Sequence, residues 1–275
     1  MIKAGVIGWP ITHSLSPRLQ GYWLDQYTIE GTYQALPVRP ENLGAALQEF
    51  QDAGYGGLNV TVPHKETVME FLHEISAPAL RIGAVNTIVM QDGILKGSNT
   101  DGFGFIENLK SGLGGFDAAR GPAVVLGAGG AARAIVAALL DDGAPDVRVC
   151  NRSWPRAEKL AHDLGGPITV VDWADRAAAL EGAALLVNTT TLGMQGNPPL
   201  EITLDALPVD APVNDIVYAP LQTGLLAAAA RRGNPVVDGI GMLLHQARPG
   251  FAAWFGVKPQ VSAGLRAHVL AGIAS

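Results

Sequence analysis

Pro122-Ala123-Val124-Val125-Leu126-Gly127-Ala128-Gly129-Gly130-Ala131-Ala132-Arg133-Ala134-Ile135-Val136-Ala137-Ala138-Leu139-Leu140 is the stretch from which the rest of the chain is read. Ala123 to Leu126 form a short apolar run, Gly127 to Gly130 a glycine-rich break, and Ala131 to Leu140 a series of strong helix formers. That order predicts strand, tight turn and helix. In this context Gly127-x-Gly129-x-x-Ala132 has the spacing of a dinucleotide fingerprint. The first glycine makes the turn, the second lets the backbone approach a pyrophosphate, and a small third residue lets helix and strand pack. The competing reading is a glycine turn in an α/β sheet that binds nothing.

Moving outward, further apolar runs stand at Val147 to Cys150, Ile168 to Val171, Ala184 to Val187, Val213 to Val217 and Pro235 to Val237. Helix-length segments such as Trp154 to Leu164 and Gly224 to Arg232 lie between them. Alternating strands and helices predict a Rossmann-like, doubly wound parallel sheet, expected over residues 101–238 as the cofactor-binding domain. The first hundred residues differ. Strand candidates at Lys3 to Ile7, Thr32 to Pro37, Gly57 to Val62 and Val85 to Met90 alternate with helices expected after Pro17, after Pro40 and from Lys65 onward. Asp92-Gly93 between two apolar runs signals a hairpin, so this sheet is expected to be mixed. Residues 1–100 are therefore read as an α/β substrate-binding catalytic domain. The tail, 239–275, carries two helical patterns and is expected to pack back on it. Two domains joined without a linker predict a ligand cleft between them.

Composition narrows the function. The 275 residues are 48% hydrophobic and 16% charged, enough apolar side chain for a large core and too little charge for disorder. A formal charge of −6 gives no general attraction to nucleic acid or an anionic bilayer. A small anionic ligand must then be held by local donors, such as single Lys or Arg residues and helix N-termini. The lone Cys150 excludes an intrachain disulfide. The opening Ala4-Gly5-Val6-Ile7 reads as a strand and not a secretory signal, and no apolar run approaches a membrane span. The expectation is a cytoplasmic protein acting on a small molecule, with no membrane and no nucleic-acid partner, as monomer or homodimer.

Cofactor choice should be written just after the second strand, where an acid would accept from a ribose 2′-hydroxyl. Instead come Asn151-Arg152-Ser153, with Arg156 one turn later. Guanidinium groups and a hydroxyl suit a 2′-phosphate and argue for NADP. The plainer reading is that both arginines are solvated helix-start charges. In the first domain Ser14 and Ser16 flank a helix start. Ser16 alone reads as an N-cap, whereas the pair could bind a carboxylate. Asn59-Val60-Thr61-Val62-Pro63-His64-Lys65 puts polar groups at a strand end, and a lysine there can exchange a proton with a carbonyl or alcohol. Asn86 and the run Asn99-Thr100-Asp101-Gly102 interrupt apolar surroundings, where the ordinary reading is a turn.

Taken together, Gly-x-Pro-Ile-x-His-Ser-x-Ser-Pro from Gly8, Asn-Val-Thr-x-Pro-His-Lys from Asn59 and Asn99-Thr100-Asp101 resemble the shikimate dehydrogenases. Gly127 to Arg133, Asn151-Arg152-Ser153, Asn188-Thr189-Thr190, Asp215 to Pro220 and Gly241 to Ala247 extend the likeness over essentially the whole chain. The resemblance implies NADP-linked interconversion of 3-dehydroshikimate and shikimate in aromatic amino acid biosynthesis, with no metal. It implies Lys65 and Asp101 as the catalytic pair, Lys65 moving the proton and Asp101 orienting it. Ser14 and Ser16 would hold the substrate carboxylate, and Thr61, Asn86, Tyr218 and Gln246 its hydroxyls and ring. Gly127, Ala128, Gly129, Gly130, Ala131, Asn151, Arg152, Ser153, Arg156, Thr189, Gly239 and Met242 would bind the cofactor. One departure is visible: Gln20 stands where the family commonly has histidine, a position on the helix where altered packing is expected more than altered chemistry. Rival readings are a quinate/shikimate or aminoshikimate dehydrogenase, and a catalytically silent NADP-binding sensor. A glutamyl-tRNA reductase-like chemistry fails because Cys150 falls on a sheet strand.

Overall fold

The computed structural model describes residues 1–273. The chain divides into two compact units, Met1–Asp101 with the segment from Leu243 onward, and Gly102–Met242.

In the first unit β1 (Ile2–Gly8), α1 (Ser16–Gln26), β2 (Gly31–Pro37), α2 (Leu43–Asp52), β3 (Tyr55–Val60), β4 (Glu74–Ile75), α3 (Ala77–Ile82), β5 (Thr87–Gln91) and β6 (Ile94–Ser98) follow in order. They build a six-stranded sheet in the order β2-β1-β3-β5-β6-β4. β1 pairs parallel with β2 and β3, whereas β3–β5 and β5–β6 are antiparallel, so the sheet is mixed. The hairpin between β5 and β6 turns at Asp92 and Gly93, both at positive φ (50° and 78°), as the Asp-Gly pair predicts. One core gathers Ile7, Leu58, Val60 and Ile88 against Leu43 and Leu47 of α2. The helix expected from Lys65 onward is only a 3₁₀ turn over Thr67–Phe71. The Lys65 carbonyl accepts from Val85 N (2.7 Å) instead of from a following turn, and Thr67-Val68 is a β-branched pair that resists helix.

The second unit holds most of α4 (Asp101–Leu113), then β7 (Ala123–Leu126), α5 (Gly130–Asp141), β8 (Val147–Asn151), α6 (Trp154–Leu164), β9 (Ile168–Asp172), β10 (Leu185–Asn188), β11 (Val213–Asp215), α7 (Gly224–Arg232) and β12 (Val236–Val237). Its six strands are all parallel in the order β12-β11-β10-β7-β8-β9. This is a doubly wound sheet whose order reverses between β7 and β10, the crevice where such sheets take ligands. β11 stops at Asp215, short of the expected Val217, because the Asp215 carboxylate captures Val217 N at 3.0 Å.

α8 (Ile240–Phe255) begins in the second unit and continues into the first, where α9 (Ala263–Leu270) follows. There Trp23 of α1 meets Phe251 edge-on at 5.3 Å, and Trp254 donates its indole N–H to the Ile88 carbonyl at 3.0 Å. Among the described residues no helix is long and apolar enough to cross a membrane.

Candidate active site

In the first unit the polar residues cluster at the ends of β3, β5 and β6. His64, fully buried, bonds the Val38 carbonyl through Nε2 (2.7 Å) and so anchors the loop that leaves β3. The next residue, Lys65, forms an ion-paired hydrogen bond from Nζ to Asp101 Oδ2, with side chains 18% and 6% exposed respectively. Asp101 opens α4, and its backbone N–H is taken by Asn99 Oδ1 at 3.0 Å. Its second oxygen, Oδ1, accepts from Asn86 Nδ2 at 2.8 Å. Asn86 also donates to Thr100 Oγ1 and Gln246 Oε1, and its own carbonyl oxygen accepts from Thr100 N. Thr100 Oγ1 in turn donates to the Gln246 carbonyl at 2.8 Å. A buried carboxylate is tolerable only when it is paired and its lone pairs are filled, and Asp101 meets both conditions. The result is a lysine ammonium held at a defined point, with one of its three N–H bonds committed to Asp101.

Ser14 and Ser16 stand at the start of α1. Ser16 is not the N-cap: Leu15 occupies that position, and Ser16 is the first helical residue. Ser14 Oγ accepts from Ser16 N at 3.3 Å, the backbone N–H of the first helical residue. Thr61 follows β3, half-buried beside Gly8, where a Cβ would come within 2.7 Å of its methyl group. One turn beyond Ser16, Gln20 is wholly buried, and neither atom of its amide has a hydrogen-bond partner among the described residues.

In the second unit Gly127 sits at φ +113°, and a Cβ there would lie 2.5 Å from Thr189 Oγ1. Only glycine serves this turn. Thr189 bonds the Leu126 carbonyl at 2.6 Å, fixing the end of β10 beside the turn. Gly129 is the N-cap of α5, and its Cβ direction is open for 4 Å. Gly130 and Ala131 begin that helix while Ala132 is buried against the sheet, leaving first-turn N–H groups for an anion. Gly127 N bonds the Cys150 carbonyl at 2.8 Å, which brings Asn151, Arg152 and Ser153 alongside. Asn151 Nδ2 bonds the Ser153 carbonyl, while Arg152, Ser153 and Arg156 are exposed and the Ser153 hydroxyl makes no capping bond. These residues fit a phosphorylated dinucleotide: an open backbone approach at Gly129 and, one strand away, two guanidinium groups. Gly239 and Met242 lie apart from them, beyond β12 at the far edge of the sheet. Gly239 is required there because a Cβ would come within 2.3 Å of the Ile216 carbonyl oxygen. Tyr218 lies in the loop after β11, where burial raises its hydroxyl above the usual range.

Sequence reasoning passed over Asp215 as a functional group. It is fully buried, and Oδ1 accepts from Asn188 Nδ2 (3.0 Å) and Val217 N while Oδ2 accepts from Thr223 Oγ1 (2.7 Å). Asn188 also receives Thr190 N and Oγ1 and donates to the Leu192 carbonyl. One carboxylate and one amide thus tie together the loops that leave β10 and β11 and the start of α7. Burial pushes Asp215 up to about 6 against the opposing pull of its donors. A polar residue ending each of two adjacent apolar strands was the available signal.

Against known proteins, residues 6–88 match the model of the shikimate dehydrogenase substrate binding domain, and residues 111–193 that of shikimate / quinate 5-dehydrogenase. A shikimate dehydrogenase (NADP(+)) of Paramagnetospirillum magneticum is 60% identical over 268 residues, covering 97% of both chains. Shikimate 5-dehydrogenase from Thermus thermophilus, solved in complex with NADP(H) and shikimate, is 36% identical with a TM-score of 0.87, covering 100% of this chain and 99% of its own. Quinate dehydrogenase from Corynebacterium glutamicum in complex with NAD is 30% identical with a TM-score of 0.91 over 98% and 99%. With paired serines at one helix start, a carboxylate-locked lysine and a glycine turn flanked by arginines, the chain belongs to the shikimate dehydrogenase family.

Proposed function

We propose that the protein catalyses the reversible, NADP-dependent interconversion of 3-dehydroshikimate and shikimate. The observation that carries this reading is the Lys65–Asp101 pair, held from behind by Asn86, Thr100 and Gln246. Gly127 to Ala131 with Thr189 would hold the cofactor pyrophosphate side, and Asn151, Arg152, Ser153 and Arg156 its 2′-phosphate, with Gly239 and Met242 farther along the same sheet edge. When bound, the nicotinamide supplies or removes a hydride at the ring carbon that carries the reacting oxygen.

The remaining work falls to the protein's own groups. As negative charge builds on the C3 oxygen during reduction, Lys65 Nζ delivers a proton to it; in oxidation the neutral amine takes that proton back. Asp101 keeps the Lys65 Nζ aimed. Asn86, itself braced by Thr100, keeps the Asp101 carboxylate from rotating, and Asn86, Thr61, Gln246 and Tyr218 are assigned to the substrate hydroxyls. Ser14 and Ser16 receive the carboxylate at the start of α1, where the helix dipole also favours an anion. The same reading includes a cytoplasmic location, in keeping with a single buried thiol at Cys150.

The test is absorbance at 340 nm with shikimate and quinate each crossed against NADP and NAD. Turnover chiefly with shikimate and NADP is expected. The NAD-bound quinate dehydrogenase of the same fold makes quinate with NAD the result that would overturn the pocket assignments. No turnover in any combination would overturn the assignment of activity itself.

A further inference from the structure

Thr87 has no part in the substrate or cofactor assignments. It stands directly across from Asn59 where β5 pairs with β3, and both side chains are buried. The direction of the hydrogen bonds around it is fixed by groups that can play only one part. Asn59 Nδ2 meets the Asn86 backbone carbonyl at 3.1 Å, an acceptor only, so Asn59 Oδ1 is the atom left to accept from the Tyr33 hydroxyl at 2.6 Å. The same Nδ2 donates to Thr87 Oγ1 at 3.3 Å. Thr87 therefore receives a proton from that side and spends its own elsewhere. Asn86 Oδ1 lies 2.9 Å away and the rival acceptor, Thr100 Oγ1, 3.5 Å, so the Thr87 proton goes to Asn86.

At Asn86 the polarity is equally settled. Oδ1 takes the Thr100 backbone N–H at 2.9 Å together with the Thr87 hydroxyl, which leaves Nδ2 to donate to Asp101 Oδ1 at 2.8 Å. Asp101 Oδ2 holds Lys65 Nζ. One line of donors thus runs from Tyr33 through Asn59, Thr87 and Asn86 to the carboxylate, and bonds that all point one way polarise one another. Its members are each no more than 8% exposed, so water does not compete along it. Resting on the catalytic role proposed above for Lys65 and Asp101, we infer that Thr87 is a positioning residue whose hydroxyl locks the Asn86 amide with its nitrogen toward Asp101, and so sets the aim of Lys65 Nζ. The lock is needed because Asn86 Nδ2 also has Thr100 Oγ1 (3.0 Å) and Gln246 Oε1 (3.3 Å) within reach, three acceptors for two N–H bonds. An amide loosened on its oxygen side can turn toward those two at the expense of Asp101. Thr100 N still holds Asn86 in place, so the loss falls on the chemical step more than on shikimate affinity.

The experiment compares Thr87→Val, which keeps the branched shape and deletes the hydroxyl, with Thr87→Ser, which keeps the hydroxyl and deletes the methyl group. Both are made in the full chain and measured by steady-state kinetics with shikimate and NADP. In Thr87→Val kcat should fall about fivefold, the worth of one neutral hydrogen bond, with KM for shikimate within twofold of wild type. Thr87→Ser should keep kcat within twofold. Equal losses in the two variants would assign the effect to packing of the methyl group, and an unchanged kcat in Thr87→Val, or a rise in KM alone, overturns the inference as well. In an Asn86→Ala background Thr87→Val should cost less than a further twofold in kcat/KM, because Thr87 acts through Asn86; a further fivefold loss there refutes that route. Should Thr87→Val fold poorly, Thr87→Ala takes its place, and its kcat should lie about fivefold below that of Thr87→Ser. Wild-type protein without shikimate turnover would sink the functional reading itself, which separates the two failures.

Discussion

Replacing Asp215 with asparagine should make the protein more stable at neutral pH than at acid pH, relative to wild type. The carboxyl group is fully buried, its donors among the described residues are the neutral Asn188 Nδ2, Val217 N and Thr223 Oγ1, and desolvation dominates the cost of its charge. Its proton is held up to about 6, against 3.8 for an ordinary aspartate. At 1.36 kcal/mol per pH unit, that rise corresponds to about 3 kcal/mol. The sign follows from which state releases its proton first. Below 3.8 both folded and unfolded chains keep it. From 3.8 to about 6 the unfolded chain has let go while the folded one has not, so stability falls as pH rises; above 6 the deficit is constant. Asparagine has the same shape, can still accept from Asn188 and Val217, and carries no titrating charge. The assay is equilibrium urea unfolding of both proteins at pH 4 and pH 7.5, followed by far-UV circular dichroism. Since pH 4 already lies just above 3.8, the variant-minus-wild-type difference should be about 2.4 kcal/mol more favourable to the variant at the higher pH, which cancels every other titrating group and any pH-independent loss at Thr223. A difference that is the same at both pH values would refute the view of Asp215 as a buried, uncompensated carboxylate.

Three further outcomes are expected. Lys65→Ala should lower kcat by about a hundredfold or more while KM for shikimate moves by less than about fivefold, since proton transfer contributes in the transition state; a pure rise in KM would recast Lys65 as a binding residue. Gln20→Met keeps the length of the side chain and removes two buried, unpartnered polar atoms, so urea unfolding should report a gain of about 1–3 kcal/mol; a loss would mean that the amide is satisfied in solution. Burial holds the Cys150 thiol up to about 12, outweighing the pull of Arg176 and Arg148, so the native protein should react with a thiol reagent at pH 8 at least about a thousandfold more slowly than the urea-unfolded chain. Comparable rates in mass-spectrometric labelling would show that β8 opens readily.

Much of this architecture is written in local sequence. The strand–turn–helix at Ala123–Asp141 follows from apolar runs and from a glycine that alone tolerates φ +113°. The Asp92-Gly93 hairpin follows from the same kind of backbone preference. Local rules failed where another partner captured a backbone group, far along the chain in one case and two residues away in the other. The Lys65 carbonyl was taken by Val85, leaving a 3₁₀ turn in place of a helix, and Val217 N was taken by Asp215, ending β11 early. At α1 the N-cap is Leu15 and not Ser16, and the Ser16 backbone N–H is taken by Ser14 Oγ.

The candidate site divides along the same line. Residue types and spacing alone picked out Lys65, the serine pair, the glycine turn and the arginines after β8, because each is a chemically distinctive group at a strand end or helix start. The pairing of Lys65 with Asp101, thirty-six residues on, came from the family resemblance and not from spacing, and the wiring of Tyr33 through Asn59 and Asn86 became legible only in the folded chain. A hydrogen bond is set by distance and direction between atoms, and sequence spacing fixes those only within a turn or two. Local propensity and hydrophobic period therefore determined the elements. Which buried polar group faces which, and so which proton is available to a ligand, was decided by the packing of strands and helices that lie far apart along the chain.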